Sequence, residues 1–254
     1  MTGFAVMLGK ELREQWRTRR LPIVVIVFTI FGIGSVVLTY YLPDLIKQLG
    51  TGGVVVEIPP PTTREAMLQF QDNMSQTAIL AAILLAMGSV AGERERGIAA
   101  LLLTMPLGRP AFLLAKATAL ATTLTIGIAL AAVGAFVYTV YLFDAPDVAG
   151  FALLTLFMVV PALLFAAVTF LGSVVTGSLA GAAGIGIASL LAVGIASLLP
   201  GVAAWLPSAL GAPGLAAAIG EPVSDWQKPF LAALVGLVGV LILAIVAFRR
   251  QELS

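Results

Sequence analysis

Long apolar runs separated by short charged segments set the pattern of this chain. Six runs approach the 20 or so residues that carry a helix across roughly 30 Å of hydrocarbon. They cover residues 21–42, 74–91, 117–141, 151–171, 179–199 and 230–248, and none holds an Asp, Glu, Lys or Arg. Backbone polar groups in lipid must be satisfied within their own segment, so such runs are helices. The alternating pattern of a membrane barrel strand is absent. The expected fold is an all-α membrane protein, one transmembrane domain over 1–254 with six transmembrane helices.

Lys and Arg counts orient these spans. With the N-terminus inside, the inner segments carry Lys10, Arg13, Arg17, Arg19, Arg20, Arg94, Arg96, Arg109, Lys116, Arg249 and Arg250. The outer segments carry Lys47, Arg64 and Lys228. Acidic residues lean outward, among them Asp44, Glu57, Asp72, Asp144 and Glu221. Both termini are therefore expected on the cytoplasmic side.

Residues 3–20 precede the first span. Phe4, Met7, Leu8, Leu12 and Trp16 recur at spacings of three and four, with Lys10, Glu11, Arg13 and Arg17 between them. Such a stretch suits an amphipathic elbow helix lying in the interface, and also a plain positive flank of the first span. Pro22 disfavours a continuous helix across Arg20 and Leu21, so a bend is expected there.

The first outer loop, 43–72, contains Gly50, Gly52, Gly53 and the run Pro59–Pro61, then Thr62 with Glu65 three residues on. That last pair is a capping box, and it predicts a helix starting near Thr63 and running into the second span, its first turns standing above the membrane. The second outer loop, 200–228, holds five prolines with Trp205 and Trp226; residues 203–218 are apolar but too interrupted to span, and read as re-entrant or interfacial pieces.

The inner connection 93–109 has the most distinctive pattern. Glu93, Arg94, Glu95, Arg96 and Gly97 form a charged head, followed by an apolar stretch with Ile98, Leu101 and Leu102, then Pro106 and Arg109. A short amphipathic helix on a tight connection fits a partner's groove; a solvated loop carries the same pattern. The fifth span is crowded with small residues. Gly177 with Gly181, and Gly184 with Ala188, form small-xxx-small pairs, which suit close helix packing between subunits or within one.

Composition then narrows the chemistry. Of 254 residues, 60% are hydrophobic and 11% charged, the net charge is +1, and mean hydropathy is +1.06. A soluble surface cannot be assembled from so few polar residues, and the charge balance suggests no nucleic-acid partner. Cysteine and histidine are absent, which removes disulfides, thiolate and imidazole metal ligands and histidine acid–base catalysis. No catalytic or metal site is expected. Intramembrane ionisable groups of the kind used by gradient-driven transporters are missing from the six spans. Gly9-Lys10 is followed by Glu11 and lacks the upstream glycine of a nucleotide-binding loop. Work on a solute would therefore draw its energy from another chain.

Taken with Lys10-Glu11-Leu12-Arg13 and Arg17-Thr18-Arg19-Arg20, the loop Glu93-Arg94-Glu95-Arg96-Gly97 and its continuation Leu101-Leu102-Leu103-Thr104-Met105-Pro106-Leu107-Gly108-Arg109 resembles the type-2 ATP-binding-cassette (ABC) permease family, in particular its short stand-alone six-helix permeases. The resemblance covers essentially the whole chain. It implies a multi-pass permease of the prokaryotic cytoplasmic (inner) membrane, an exporter working as a homodimer with two copies of a cytoplasmic ABC ATPase subunit. ATP and Mg would be held by that partner and no cofactor by this chain. It implies that 93–109 is the coupling helix, that the elbow helix contributes to the ATPase contact, and that the substrate route lies at the dimer interface. A second reading, from the long outer loop, is a mechanical relay that moves an outer-face protein and carries no solute.

Overall fold

The structure is a computed structural model that describes residues 2–49, 59–95 and 109–250. Among the described residues all the regular structure is helical, with no strand. The elements are α1 (Thr2–Arg17), α2 (Arg20–Leu49), α3 (Thr63–Met87), α4 (Ala91–Glu95), α5 (Arg109–Leu142), α6 (Val148–Thr176), α7 (Leu179–Ala196), two short 3-10 turns (Ala203–Trp205 and Pro207–Leu210), α8 (Gly211–Ala218) and α9 (Gln227–Arg250). Six helices are long and apolar enough to cross a membrane: α2, α3 continued through α4, α5, α6, α7 and α9. Large apolar side chains such as Ile30, Leu84, Val133, Leu191 and Val235 stand uncovered around the bundle. Water would not tolerate so much apolar surface, whereas lipid does.

Local sequence explains the helix ends. Thr62 donates its backbone N–H (2.6 Å) and hydroxyl (3.2 Å) to Glu65 Oε2, so α3 begins where the capping box places it. The break between α1 and α2 falls at Thr18–Arg19, where Arg19 takes a left-handed φ of 60° and Pro22 occupies the first turn of α2. Asp147 caps α6 through the Gly150 N–H, and Ser178 caps α7 through the Gly181 N–H (3.1 Å). The α3–α4 break follows Gly88-Ser89, a pair that commonly interrupts a helix.

Several boundaries differ from the sequence reading. The first helix does not stop at 42: α2 continues through Pro43 to Leu49, because Pro43 costs one hydrogen bond while Asp44, Leu45, Ile46, Lys47 and Gln48 sustain the turns beyond it. Asp44 and Lys47 pair there at 3.7 Å. At the other extreme α7 ends at Ala196, short of 199, and the chain turns before Pro200. At about 1.5 Å per residue, its 18 residues only just span the hydrocarbon.

The helix α6 is the central pillar. Its buried positions include Phe151, Leu154, Met158, Ala162, Phe165 and Phe170, and it packs against α3, α7, α8 and α9. Phe151 stacks on Phe70 of α3 with ring centroids 5.7 Å apart. Small residues allow the closest approaches. A Cβ on Gly32 would lie 3.0 Å from the Ala131 carbonyl, one on Gly127 2.9 Å from Phe28 and Val24, and one on Gly134 3.0 Å from Ile33. The α2–α5 seam is thus a small-residue interface. Its glycines are scattered among larger residues, so no sequence pattern marks them, unlike the denser run of small residues in 177–197.

Two ends of the bundle are distinct. At one, Thr63 Oγ1 donates to the Asp144 carbonyl (3.1 Å) and Arg64 pairs with Glu221 (2.8 Å). At the other sit α1, α4, the first turns of α5 and the last turn of α9.

Candidate functional site

The family resemblance implies that the charged head Glu93–Arg96 meets a partner protein. Arg96, Gly97, Ile98, Leu101 and Leu102 lie outside the described residues, as does the side chain of Arg109. Glu93, Arg94 and Glu95 are described, and each reaches a different part of the bundle.

Glu93 Oε1 accepts from Lys116 Nζ of α5 at 2.6 Å. Lys116 is buried, and it also donates to both carboxylate oxygens of Glu11 on α1, at 3.2 and 3.3 Å. Lys10 donates to Glu11 Oε1 (3.0 Å), pairs with Glu14 Oε2 (2.8 Å) and lies 4.0 Å from Glu93. Arg20 lines the same narrow crevice. Lys10, Glu11, Glu14, Glu93 and Lys116, from three helices, therefore form one ion-pair cluster, with Arg20 of α2 at its edge. Glu93 Oε2 and Gln15 Oε1 are buried beside it without a hydrogen-bond partner among the described residues. Buried charges of this kind hold only when paired, which makes the cluster sensitive to the relative placement of α1, α4 and α5.

Burial opposes the charge on Lys10, but its bonds to Glu14 and Glu11 outweigh burial and raise its pKa above 10.5. Burial likewise works against ionised Glu14, and the hydrogen bond and charge of Lys10 overcome it, so its pKa falls below 4.5. Both groups are thus held ionised by each other.

Arg94 turns the opposite way. Its guanidinium lies over the ring of Phe248 in α9, 5.9 Å from the centroid, and beside Gly177, where an added Cβ would be 3.1 Å from Nη1. Phe248 in turn stacks on Phe112 of α5 at 6.0 Å. Glu95 Oε1 accepts the Leu179 N–H at the start of α7 (3.0 Å), where a carboxylate also meets the positive end of the helix dipole. Behind these three, the fully buried Ser173 of α6 accepts the Val90 and Ala91 N–H groups (3.1 and 2.9 Å) and donates to the Met87 carbonyl (2.9 Å). One hydroxyl satisfies the broken backbone between α3 and α4. Nothing in the sequence marks Ser173, which reads as one more small polar residue in an apolar span.

The elbow residues divide. Met7 and Glu11 of α1 are buried, Phe4 and Leu8 pack on the core, and Trp16 is 66% exposed. The apolar face expected to include Trp16 is rotated, because Lys116 offers Glu11 a buried counter-charge. Arg13 and Arg17 remain exposed.

A sequence model described as "ABC-2 family transporter protein" matches residues 5–209, from α1 through the 3-10 turns. The chain belongs to that family. It is also 29% identical over 221 residues to the "Uncharacterized transmembrane protein YxlG" of Bacillus subtilis (strain 168), with 82% of each chain covered. The matched region of this ABC-2 family member contains the whole junction around α4 apart from Phe248. The family is one of transporter membrane proteins, in keeping with the six spans.

The small-residue pairs need correction. Gly177 is not part of the fifth span: it ends α6 with a left-handed φ of 63°, so Gly177 and Gly181 do not share a helix face. Gly181 sits at the start of α7, close to Thr176 and Ser178. Gly184 and Ala188 do share a face of α7, and both are exposed; a Cβ on Gly184 would meet nothing within 4 Å. The glycine of α7 that packs within the chain is Gly186, against Ile83 and Thr169.

Proposed function

We propose that the chain is the membrane-spanning permease subunit of an ABC exporter, driven by a separate cytoplasmic ATPase that grips the 93–109 connection. The observation that carries this reading is the wiring of α4. Three successive residues tie it to α5 and α1 (Glu93), to α9 (Arg94) and to α7 (Glu95), and Ser173 ties it to α6. The chain passes directly from α4 into residues 96–108. A push on that connection would act on every helix of the bundle except α2, which follows through its seam with α5.

In this reading the working unit is a homodimer of the permease with two ATPase copies, in a prokaryotic inner membrane, and both termini are cytoplasmic. ATP and Mg belong to the partner. This chain makes no covalent chemistry. Its part is to convert the partner's nucleotide-dependent movement into a choice between two packings of the spans, with Ile98, Leu101 and Leu102 as the apolar grip and Arg96 and Arg109 as the charges offered to the partner. The family match supports the transporter role, and the Lys and Arg distribution supports the orientation.

The test is co-purification of the tagged chain with an ABC ATPase from its native membrane. The intact permease should retain it in detergent. Replacing Ile98, Leu101 and Leu102 with Ser should release it while the six-span bundle keeps its melting temperature. Retention of the ATPase by that variant would overturn the assignment.

A further inference from the structure

A cleft of about 280 Å³ opens between α3, α6 and α7, well away from the α4 junction. One wall is polar. Gln71, Asp72, Ser75 and Gln76 of α3 fall on one helix face by their spacing. The facing wall is apolar: Phe157, Met158 and Phe165 of α6, with Leu190 and Val193 of α7. The turn Pro207–Leu210 closes one end.

Gln71 is 8% exposed, and its Oε1 has no hydrogen-bond partner among the described residues. A buried carbonyl oxygen left this way requires a donor. Asp72, next in sequence and exposed, adds a carboxylate at the same rim. No Lys or Arg is among the residues that line the cleft, and Arg64, two turns back along α3, is paired with Glu221. The missing complement is a positively charged group rich in donors. An ammonium fits both needs, with three N–H donors and no acceptor. The apolar wall asks for a hydrocarbon body. Entry from the side is open, because Gly194 and Ser197 at the α7 rim are exposed and a Cβ on Gly194 would meet nothing within 4 Å.

We infer that this cleft binds a cationic amphiphile, its amine held between Asp72 and Gln71 Oε1 and its chain laid along α6 and α7. The inference concerns a binding site of this chain alone and does not depend on the ATPase.

The full chain is reconstituted in phosphatidylcholine nanodiscs, and binding of dodecylammonium, dodecanol and dodecanoate is measured against empty nanodiscs. The wild type should favour dodecylammonium over dodecanoate by about tenfold or more, the scale of a charge-assisted hydrogen bond. Asp72→Asn should remove most of that preference. Gln71→Leu, a swap of similar shape that leaves no orphaned oxygen, should weaken dodecylammonium and spare dodecanol. Gly194→Phe should fill the opening and weaken all three. Asp72 and Gly194 are exposed, so these two variants keep the fold. Equal binding of the three amphiphiles, a charge preference that survives Asp72→Asn, or binding indifferent to Gly194→Phe would mean partition into lipid only and would overturn the site.

Discussion

Lys116 Nζ lies 2.6 Å from Glu93 Oε1, although 23 residues separate the two in sequence and the connection 96–108 runs between them. The same ammonium holds Glu11 of α1. This single cation therefore locks the start of the connection to two other helices. Lys116→Met should leave buried Glu11 and half-buried Glu93 with only the half-exposed Lys10 as counter-charge and cost up to about 3–5 kcal/mol, read as a drop in melting temperature in detergent. The triple variant Lys116→Met, Glu93→Gln, Glu11→Gln should recover much of the loss. A single variant as stable as wild type would show that the cluster is solvated and carries no load.

Ser173→Ala should strip two backbone N–H groups at Val90 and Ala91 of their acceptor. The expected cost is about 1–3 kcal/mol, with faster hydrogen exchange confined to residues 87–95. Exchange unchanged at those amides would place their partner elsewhere.

Helix spacing should separate the glycines into two groups. Gly127→Leu would collide with Val24 and Phe28 and should push α2 from α5, lowering the melting temperature and the yield of folded protein. Gly184→Leu meets open space and should leave the isolated chain's stability unchanged or slightly higher. Equal damage from both would contradict the seam.

The Lys10–Glu14 pair gives a pH dependence of definite sign. Glu14 has a lowered pKa, so its contribution is complete above about 4.5 and is lost as pH falls through the depressed value. Lys10 has a raised pKa, so its contribution is complete below about 10.5 and is lost as pH rises through the elevated value. Both side chains are partly exposed, so the effect is of order 0–1 kcal/mol and screened by salt. Fluorescence of Trp16, in a chain with Trp205 and Trp226 replaced by Phe, should stay constant between those limits and change outside them. The Glu14→Gln variant should lose the acid-side change.

Much of the architecture was determined by the sequence alone. Six apolar runs give six crossing helices because hydrocarbon admits no unsatisfied backbone, a constraint each segment meets without reference to the others. The start of α3 at Thr63 and the bend near Arg20 are also local, set by the Thr62–Glu65 box and by Pro22. Tertiary structure alone decided the junction. Lys10, Glu11, Glu93 and Lys116 look in sequence like ordinary positive-inside flanks and a solvated charged head. Their pairing depends on the rotation and height of α1, α4 and α5 relative to one another, which no periodicity encodes. The same holds for Ser173, for Gly177 as a helix end, and for Gln71, whose unmet oxygen exists only because α6, α7 and the 207–211 turn close around it. Local rules specify which segments form helices; which charges become buried is settled only when those helices pack.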